Sequence, residues 1–552
     1  MVRLKELKES YPVEVAQYAK DNSIDKEEGF WWAAYTLKKA ARIIPKIKTR
    51  NVRLEKFGIR VPRSVEEALQ FDRQSNTTYW KDAIDKEMRN IEIAFKVLHE
   101  GEHVPPVYQF IRRHFIFDVR IDGTRKARYV AGGHMTEAPS SITYSSVVSR
   151  DSIRILLVIA ALNGLEVSSC DIQNAYINAK PREKVYFRAG KEFGSKCGRL
   201  VIIVRALYGL KSSGAAFRAR LSQELREMGY TASLADPDVY MKGRSKPDGF
   251  QYYEYVLCYV DDILCISHMP SKFMESIMKI FTLKNGHSHP KTFLGSEIHK
   301  YEIFENGLSY RCWGLGSRDY VLRVVKEVEE TAQKFQMAFP SRAARPMRSN
   351  YSPELDLTEE LNDHGTTFYQ GMIGTLRWLV EIGRVDLSHS TSIMSSFMVS
   401  PRIGHAYEVL HIFAYLKSRP DASLVLDSRN PNLPRNLSSS IADWTDFYSD
   451  AEEAVPLNAP PALGLSVTTH CYVDADWAGN LLNRRSHSGI IMYVQSAPIV
   501  WISKKQKTIE TSTHGAELCA TKMAVEMIEG VRCKLRMFGV EIDGPTLLFY
   551  DN

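Results

Sequence analysis

The spacing of apolar and polar positions changes several times along the chain, and each change marks a new kind of element. The first hundred residues are helical in character and rich in charge, and Trp80, Ile84 and Met88 recur at four-residue spacing, the stripe of an amphipathic helix. Upstream, Ser64 followed by Glu67 predicts a capped helix start. From about residue 104 the spacing becomes that of strands. His114 to Arg120, then Asp122-Gly123, then Arg125 to Ala131 predicts a hairpin closed by an Asp-Gly turn. A helix is expected over Ser152–Leu162, a strand through Cys170-Asp171-Ile172 and a basic helix from Ser213 to Met228. Gln251 to His268 is apolar and strand-like on both sides of one acidic pair, and further helices are expected around 319–337, 366–382 and 404–417.

Residues 426–468 break this texture. Asn430-Pro431-Asn432-Leu433-Pro434, Ser438 to Ser440 and Asn458-Ala459-Pro460-Pro461 make the stretch rich in loop formers, and it is the expected interdomain boundary. Beyond it the pattern is strand 470–474, strand 489–494, strand 498–502, long helix 511–538 and strand 546–550. In the helix, Ala520, Ala524, Ile528 and Val531 recur at helical spacing, with Met523, Met527 and Leu535 widening the stripe.

Length and composition add bounds. At 552 residues the chain is long for one domain, and its 44% hydrophobic content supplies sizeable cores. A net charge of +7 permits nucleic-acid binding through local clusters without demonstrating it. The cysteines are scattered, with no Cys-x-x-Cys pair, so buried reduced thiols are expected rather than a zinc site or a disulfide framework. No run approaches the roughly 18 apolar residues of a membrane span. The chain start, Met1-Val2-Arg3-Leu4-Lys5, lacks the apolar core of a signal peptide, so an intracellular protein is expected.

Chemistry concentrates at Tyr259-Val260-Asp261-Asp262. Adjacent carboxylates repel, and setting them between apolar strands is costly unless a cation neutralises them. Tyr255 to Val260 precedes the pair and Ile263 to Ser267 follows it, so a hairpin would present both acids at its tip. Phosphoryl transfer to a nucleotide needs such carboxylates to hold two divalent cations. The plain alternative is a solvated Asp-Asp turn. A second acid, Asp171, ends a strand, with the aromatic Tyr176 five residues on.

Asp171 with Tyr176, Leu207-Tyr208-Gly209-Leu210-Lys211 and Tyr259-Val260-Asp261-Asp262 stand in the order and spacing of reverse-transcriptase palms. With Lys126 to Gly133, Tyr144 to Val148, Phe293-Leu294-Gly295 and Gly374 to Trp378, the chain resembles the polymerase region of copia-type long-terminal-repeat retrotransposons, from about residue 30 to its end. The resemblance implies an α+β right-hand polymerase of fingers, palm and thumb, followed by a ribonuclease H-like α/β domain. The division expected is a helical region at 1–100, fingers and palm at 101–300, a thumb or connection at 301–425, a linker at 426–468 and the ribonuclease H-like domain at 469–552. It further implies RNA-templated DNA synthesis with Mg²⁺, or Mn²⁺ in its place. Asp171, Asp261 and Asp262 would be the catalytic metal ligands. Tyr176 would exclude the ribose 2′-hydroxyl, and Lys126 or Arg128 would meet the deoxynucleoside triphosphate, the choice between them staying open. Lys211, followed by Arg218 and Arg220, would meet template phosphates, and Phe293, Leu294 and Gly295 the primer end. RNA and DNA template-primers are the implied partners, in a cytoplasmic particle or the nucleus. Ser212-Ser213-Gly214 stands where the family often has Gln-Ala-Pro, beside the templating base. An inactive relic or a host-adapted nucleic-acid-binding protein is the competing reading.

The last segment resembles ribonuclease H. Asp474 on its first strand, Glu517 on its helix and Asp551 after its last strand would form a second two-metal cluster, with Asp476 the competitor for the role of Asp474. A complete domain of that type continues through further helices, so a truncated, weakly stable and inactive nuclease is expected.

Overall fold

The computed structural model describes residues 55–56, 58–120, 123–137, 143–433 and 453–550. Asp122, Asp551, the N-terminal 54 residues and the middle of the 426–468 stretch lie outside them. The chain divides into two compact units, Met1–Ala138 with Glu183–Lys211, and Pro139–Arg182 with Ser212–Asn552.

In the first unit, α1 (Val65–Ser75) starts at Ser64, whose hydroxyl accepts from the Glu67 N–H, and the Glu67 carboxylate reaches back to the Arg63 N–H. In α2 (Tyr79–Ile91) the expected stripe is turned inward, with Trp80 and Ile84 buried and Met88 half-buried. Trp80 meets Phe117 edge-on on a hairpin of β1 (Arg113–Val119) and β2 (Arg125–Ala131). In β2 the pleat buries Ala127, Tyr129 and Ala131 and leaves Lys126 and Arg128 together on the opposite face.

The second unit holds an antiparallel sheet ordered β4-β5-β6-β7-β3-β8: β3 (Glu166–Ile172), β4 (Thr231–Ala232), β5 (Val239–Ser245), β6 (Gln251–Tyr259), β7 (Asp262–Ser267) and β8 (Leu283–Ser288). It is covered on both sides, which is why its central strands are continuously apolar. Tyr255, Leu257, Leu264 and Ile266 face helix α3 (Arg150–Leu162). Val256, Cys258, Ile263 and Cys265 face α4 (Ser213–Glu227) and α5 (Pro270–Met278), with Cys170 beside them. These three thiols are buried and unbridged, as expected from their apolar setting.

A second sheet follows, β9 (Thr292–Phe293), β10 (Ser296–Glu305), β11 (Leu308–Gly316) and β12 (Leu424–Leu426). Helices α6 (Arg318–Lys334), α7 (Asp363–Glu381), α8 (Ser388–Ser395) and α9 (Ile403–Ser418) share a separate core centred on Val325, Leu376 and Phe413. The C-terminal lobe is a sheet ordered β15-β14-β13-β16, comprising β13 (Thr469–Asp476), β14 (His487–Val494), β15 (Ala497–Lys505) and β16 (Leu547–Phe549). The pair β13–β16 is parallel. Helix α10 (Thr513–Met537) lays Ala516, Ala520, Ala524, Val531 and Leu535 against Cys471, Val473 and Ala475. Far from standing alone, the lobe shares one hydrophobic core with α3 and strands β5, β6 and β7. Among the described residues no helix is long and apolar enough to cross a membrane.

Candidate active site

Strands β6 and β7 are joined by a two-residue turn, Val260-Asp261, flanked by the pair Tyr259 and Asp262. Val260 sits at φ +58°, a left-handed conformation that strains a β-branched residue by about 1–3 kcal/mol. The Asp261 carbonyl accepts from the Ile172 N–H at 2.8 Å, tying the tip to β3. Along β3, Asp171 pairs directly with Asp262. The three acids therefore come from one turn and two hydrogen-bonded strands, and separation along the chain disappears in the sheet.

The electrostatics follow from that packing. Burial, then the neighbouring Asp261 and Asp171, push the Asp262 carboxyl up to about 6, against the pull of Lys284. Lys284, on β8, places its Nζ 2.5 Å from Asp171 Oδ2. This lysine has no signal in the sequence, because only the pairing of β8 with β3 brings it there. Among the described residues no three acidic, histidine or cysteine side chains already form a metal-ready group. The charge arrangement nevertheless fits a cation: acids close enough to raise the Asp262 carboxyl, with an ammonium standing on one of them.

Tyr176 lies on a 3₁₀ turn, half-buried, with its ring edge-on to Phe217 at 6.4 Å. In the first unit Arg128 lies over the Tyr208 ring at 4.6 Å, and Lys211 donates to the Thr136 carbonyl at 2.5 Å. On α4, Arg218 binds Asp238 at 2.7 Å and Arg220 pairs with Glu224, so both expected template contacts are engaged within the protein. Phe293 is buried, and Leu294-Gly295 forms the turn between β9 and β10 with both residues at positive φ. That is the hairpin geometry for which glycine is suited. A Cβ on Gly295 would also lie 2.9 Å from Trp378 Cζ2, so the turn packs closely against the segment that ends in Trp378.

In the C-terminal lobe, β13 turns Tyr472, Asp474 and Asp476 to the face away from α10. Glu517 is buried at the start of α10, and its Oε1 accepts from the Ala475 N–H at 3.1 Å, so it stands beside the strand carrying Asp474. Asp476 instead accepts from the His487 N–H, and a Cβ on Gly479 would collide with its carboxylate, so it is committed to the local turn. Asp474 lines a cavity of about 550 Å³ together with Tyr472, Trp501, Phe549, Asp386 and His389. The third expected acid, Asp551, lies outside the described residues.

Residues 101–341 match the family model described as reverse transcriptase (RNA-dependent DNA polymerase). Over 89% of its length the chain is 25% identical to the retrovirus-related Pol polyprotein from transposon RE2 of Arabidopsis thaliana, and 26% identical to that from transposon RE1 of the same plant. It spans about 30% of the length of each. It is also 23% identical, over 65% of its length, to the whole of the putative transposon Ty5-1 protein YCL074W of Saccharomyces cerevisiae. A foamy viral protease-reverse transcriptase solved with double-stranded DNA overlays 85% of this chain and 62% of its own, at 12% identity and a TM-score of 0.42, too weak a likeness to bear on the site. The matched segment carries Asp171, Asp261 and Asp262; over residues 101–341 the chain is similar to reverse transcriptases, and over most of its length to retrovirus-related Pol polyproteins of transposons.

Proposed function

We propose that the chain extends a primer 3′ end with deoxynucleotides on an RNA or DNA template. The observation that carries this reading is the pairing of Asp171 with Asp262 beside the Asp261 turn, with Asp262 pushed up to about 6. The primer 3′ oxygen forms a bond to the α-phosphorus of the incoming triphosphate, and the bond to pyrophosphate breaks. Asp171, Asp261 and Asp262 would hold two Mg²⁺ ions, or Mn²⁺, which when bound lower the charge barrier to that attack and steady the leaving group. Tyr176 occupies the space beside the sugar and excludes a 2′-hydroxyl. Lys126 and Arg128, on one face of β2, supply cationic contacts for the triphosphate. Leu294-Gly295 and Lys211 serve the primer and template strands.

Asp474 and Glu517, with Asp551, would form a second cation-binding cluster of ribonuclease H type. The reaction is assigned to a cytoplasmic particle or the nucleus. Lys284 on Asp171 favours a second reading, a nucleic-acid-binding protein without polymerase activity, because the amine stands in a cation's place. Calorimetric titration with Mn²⁺ separates the two. Polymerase chemistry predicts binding that Asp171→Asn weakens at least tenfold, whereas no binding to the wild-type chain, or equal binding by the variant, rejects the metal site.

A further inference from the structure

The end of α10 is built into the palm. Tyr255, 1% exposed on β6, donates its hydroxyl to the Phe538 carbonyl at 2.7 Å, and the two rings meet edge-on at 6.4 Å. Two residues away on β6, the Tyr253 hydroxyl donates to the Pro461 carbonyl at 3.0 Å. The Ser233 hydroxyl donates to the Met537 carbonyl at 3.2 Å. The Met537 and Phe538 carbonyls are among those a helix leaves without internal partners at its C-terminus. Here palm side chains satisfy them. Gly539 makes the close approach possible. It lies at φ +68°, and a Cβ there would sit 2.2 Å from Tyr253 Cε2 and 3.2 Å from the Pro461 carbonyl oxygen. Lys534 adds an ion pair to Asp151 at 2.6 Å on α3.

All of this converges on the strand that ends in the catalytic turn. From Tyr255 to Asp261 an extended strand covers roughly 20 Å. A tilt of about 3° at Tyr255 would move the turn by about 1 Å, a misplacement able to cost about a hundredfold in rate.

We propose that the C-terminal lobe is a buttress for the polymerase, in which the Met537–Gly539 turn holds β6 through Tyr253 and Tyr255 and so positions Val260 and Asp261. Tyr255 and Gly539 are positioning residues, and the role is independent of any cleavage by the lobe. It rests on the polymerase reading above.

The test uses the full chain with Gly539→Val and Tyr255→Phe, and Lys522→Ala on the exposed side of α10 as the control. Primer extension is measured well below each variant's unfolding midpoint. Gly539→Val is expected to lower kcat about tenfold or more and Tyr255→Phe about threefold, with deoxynucleotide KM changed less than about twofold and the control unaffected. A merely structural role would shift the midpoint and leave kcat at its wild-type value, which overturns the proposal. Hydrogen exchange gives an arm that does not need activity. Faster exchange at Val256–Ile263 in Gly539→Val supports the buttress even if the wild type extends no primer, and unchanged exchange there rejects it.

Discussion

The turn residues Val260 and Asp261 concentrate the cost of the site. Val260 is held left-handed, and Asp262 carries a carboxyl pushed up to about 6 by burial and by Asp261 and Asp171. A carboxyl whose folded value is raised binds its proton more tightly in the folded state. Its stabilising contribution is full below the unfolded value and is lost as pH rises through about 6. Without divalent cations, Asp262→Asn should therefore raise the unfolding midpoint at pH 7, and saturating Mg²⁺ should narrow the gap to wild type. A midpoint that falls in the cation-free variant would show that the repulsion is not there. At this scale the sequence was informative where chemistry is local. Asp261-Asp262 between apolar runs, and Asp171 on a strand, stood out by residue type and setting. Lys284 did not, since its contact with Asp171 exists only through a strand pairing. Nor did the internal partners of Arg218 and Arg220, Asp238 and Glu224, since composition shows charge but not which acids stand beside it.

Helices and strands were legible where one face is apolar and the other polar, as in α2 and α10. The expected strands of the C-terminal lobe lie within a few residues of β13, β14, β15 and β16. What periodicity could not show is which element each face meets. Arg154 illustrates this. It sits in the apolar helix α3, yet its guanidinium lies 3.9 Å over Trp501 of β15 and donates to the Ile499 and Glu381 carbonyls. Replacing Arg154 with Ala would strand those acceptors and open the junction of three elements, at a cost of about 3 kcal/mol. Chemical unfolding should show a lower midpoint, and an unchanged one would mean the guanidinium adds nothing. Acid-sensitive pairs also tie α10 to its neighbours. Hydrogen bonds from Arg532 and Arg536 hold the Glu453 carboxyl down at about 2, and Asp151 is lowered by Lys534 against the opposing effect of its burial. Groups with depressed folded values stabilise above their unfolded values, and that contribution is lost as pH falls through the folded ones. Stability should thus decline from about pH 4.5 downward, and Glu453→Gln should flatten the decline measured by thermal unfolding. An identical slope in the variant would remove Glu453 from the account.

At the scale of the molecule, composition and contact point to different divisions. The stretch 426–468 changes texture sharply and reads as a boundary, whereas contacts group the segments on either side of it into one compact unit. The reason is that a loop-rich connection says nothing about whether the elements it joins pack together, and here Phe538 and Val540 enter the same core as Tyr255 and Leu257. The lobe and the palm should accordingly lose their slow-exchanging amides together, and release of α10 before β6 in denaturant would contradict that. The proposed chemistry stands on the carboxylates that β3 and the β6–β7 turn bring together. Its most direct test is single-turnover addition of one deoxynucleotide to a primer on an RNA template in Mg²⁺, wild type against Asp261→Asn at equal folded concentration. The expected result is extension by the wild type, its loss on chelation of the metal, and at least a thousandfold lower rate in the variant, by analogy with other groups that act only in the transition state. Extension by Asp261→Asn at a rate near that of the wild type would contradict it.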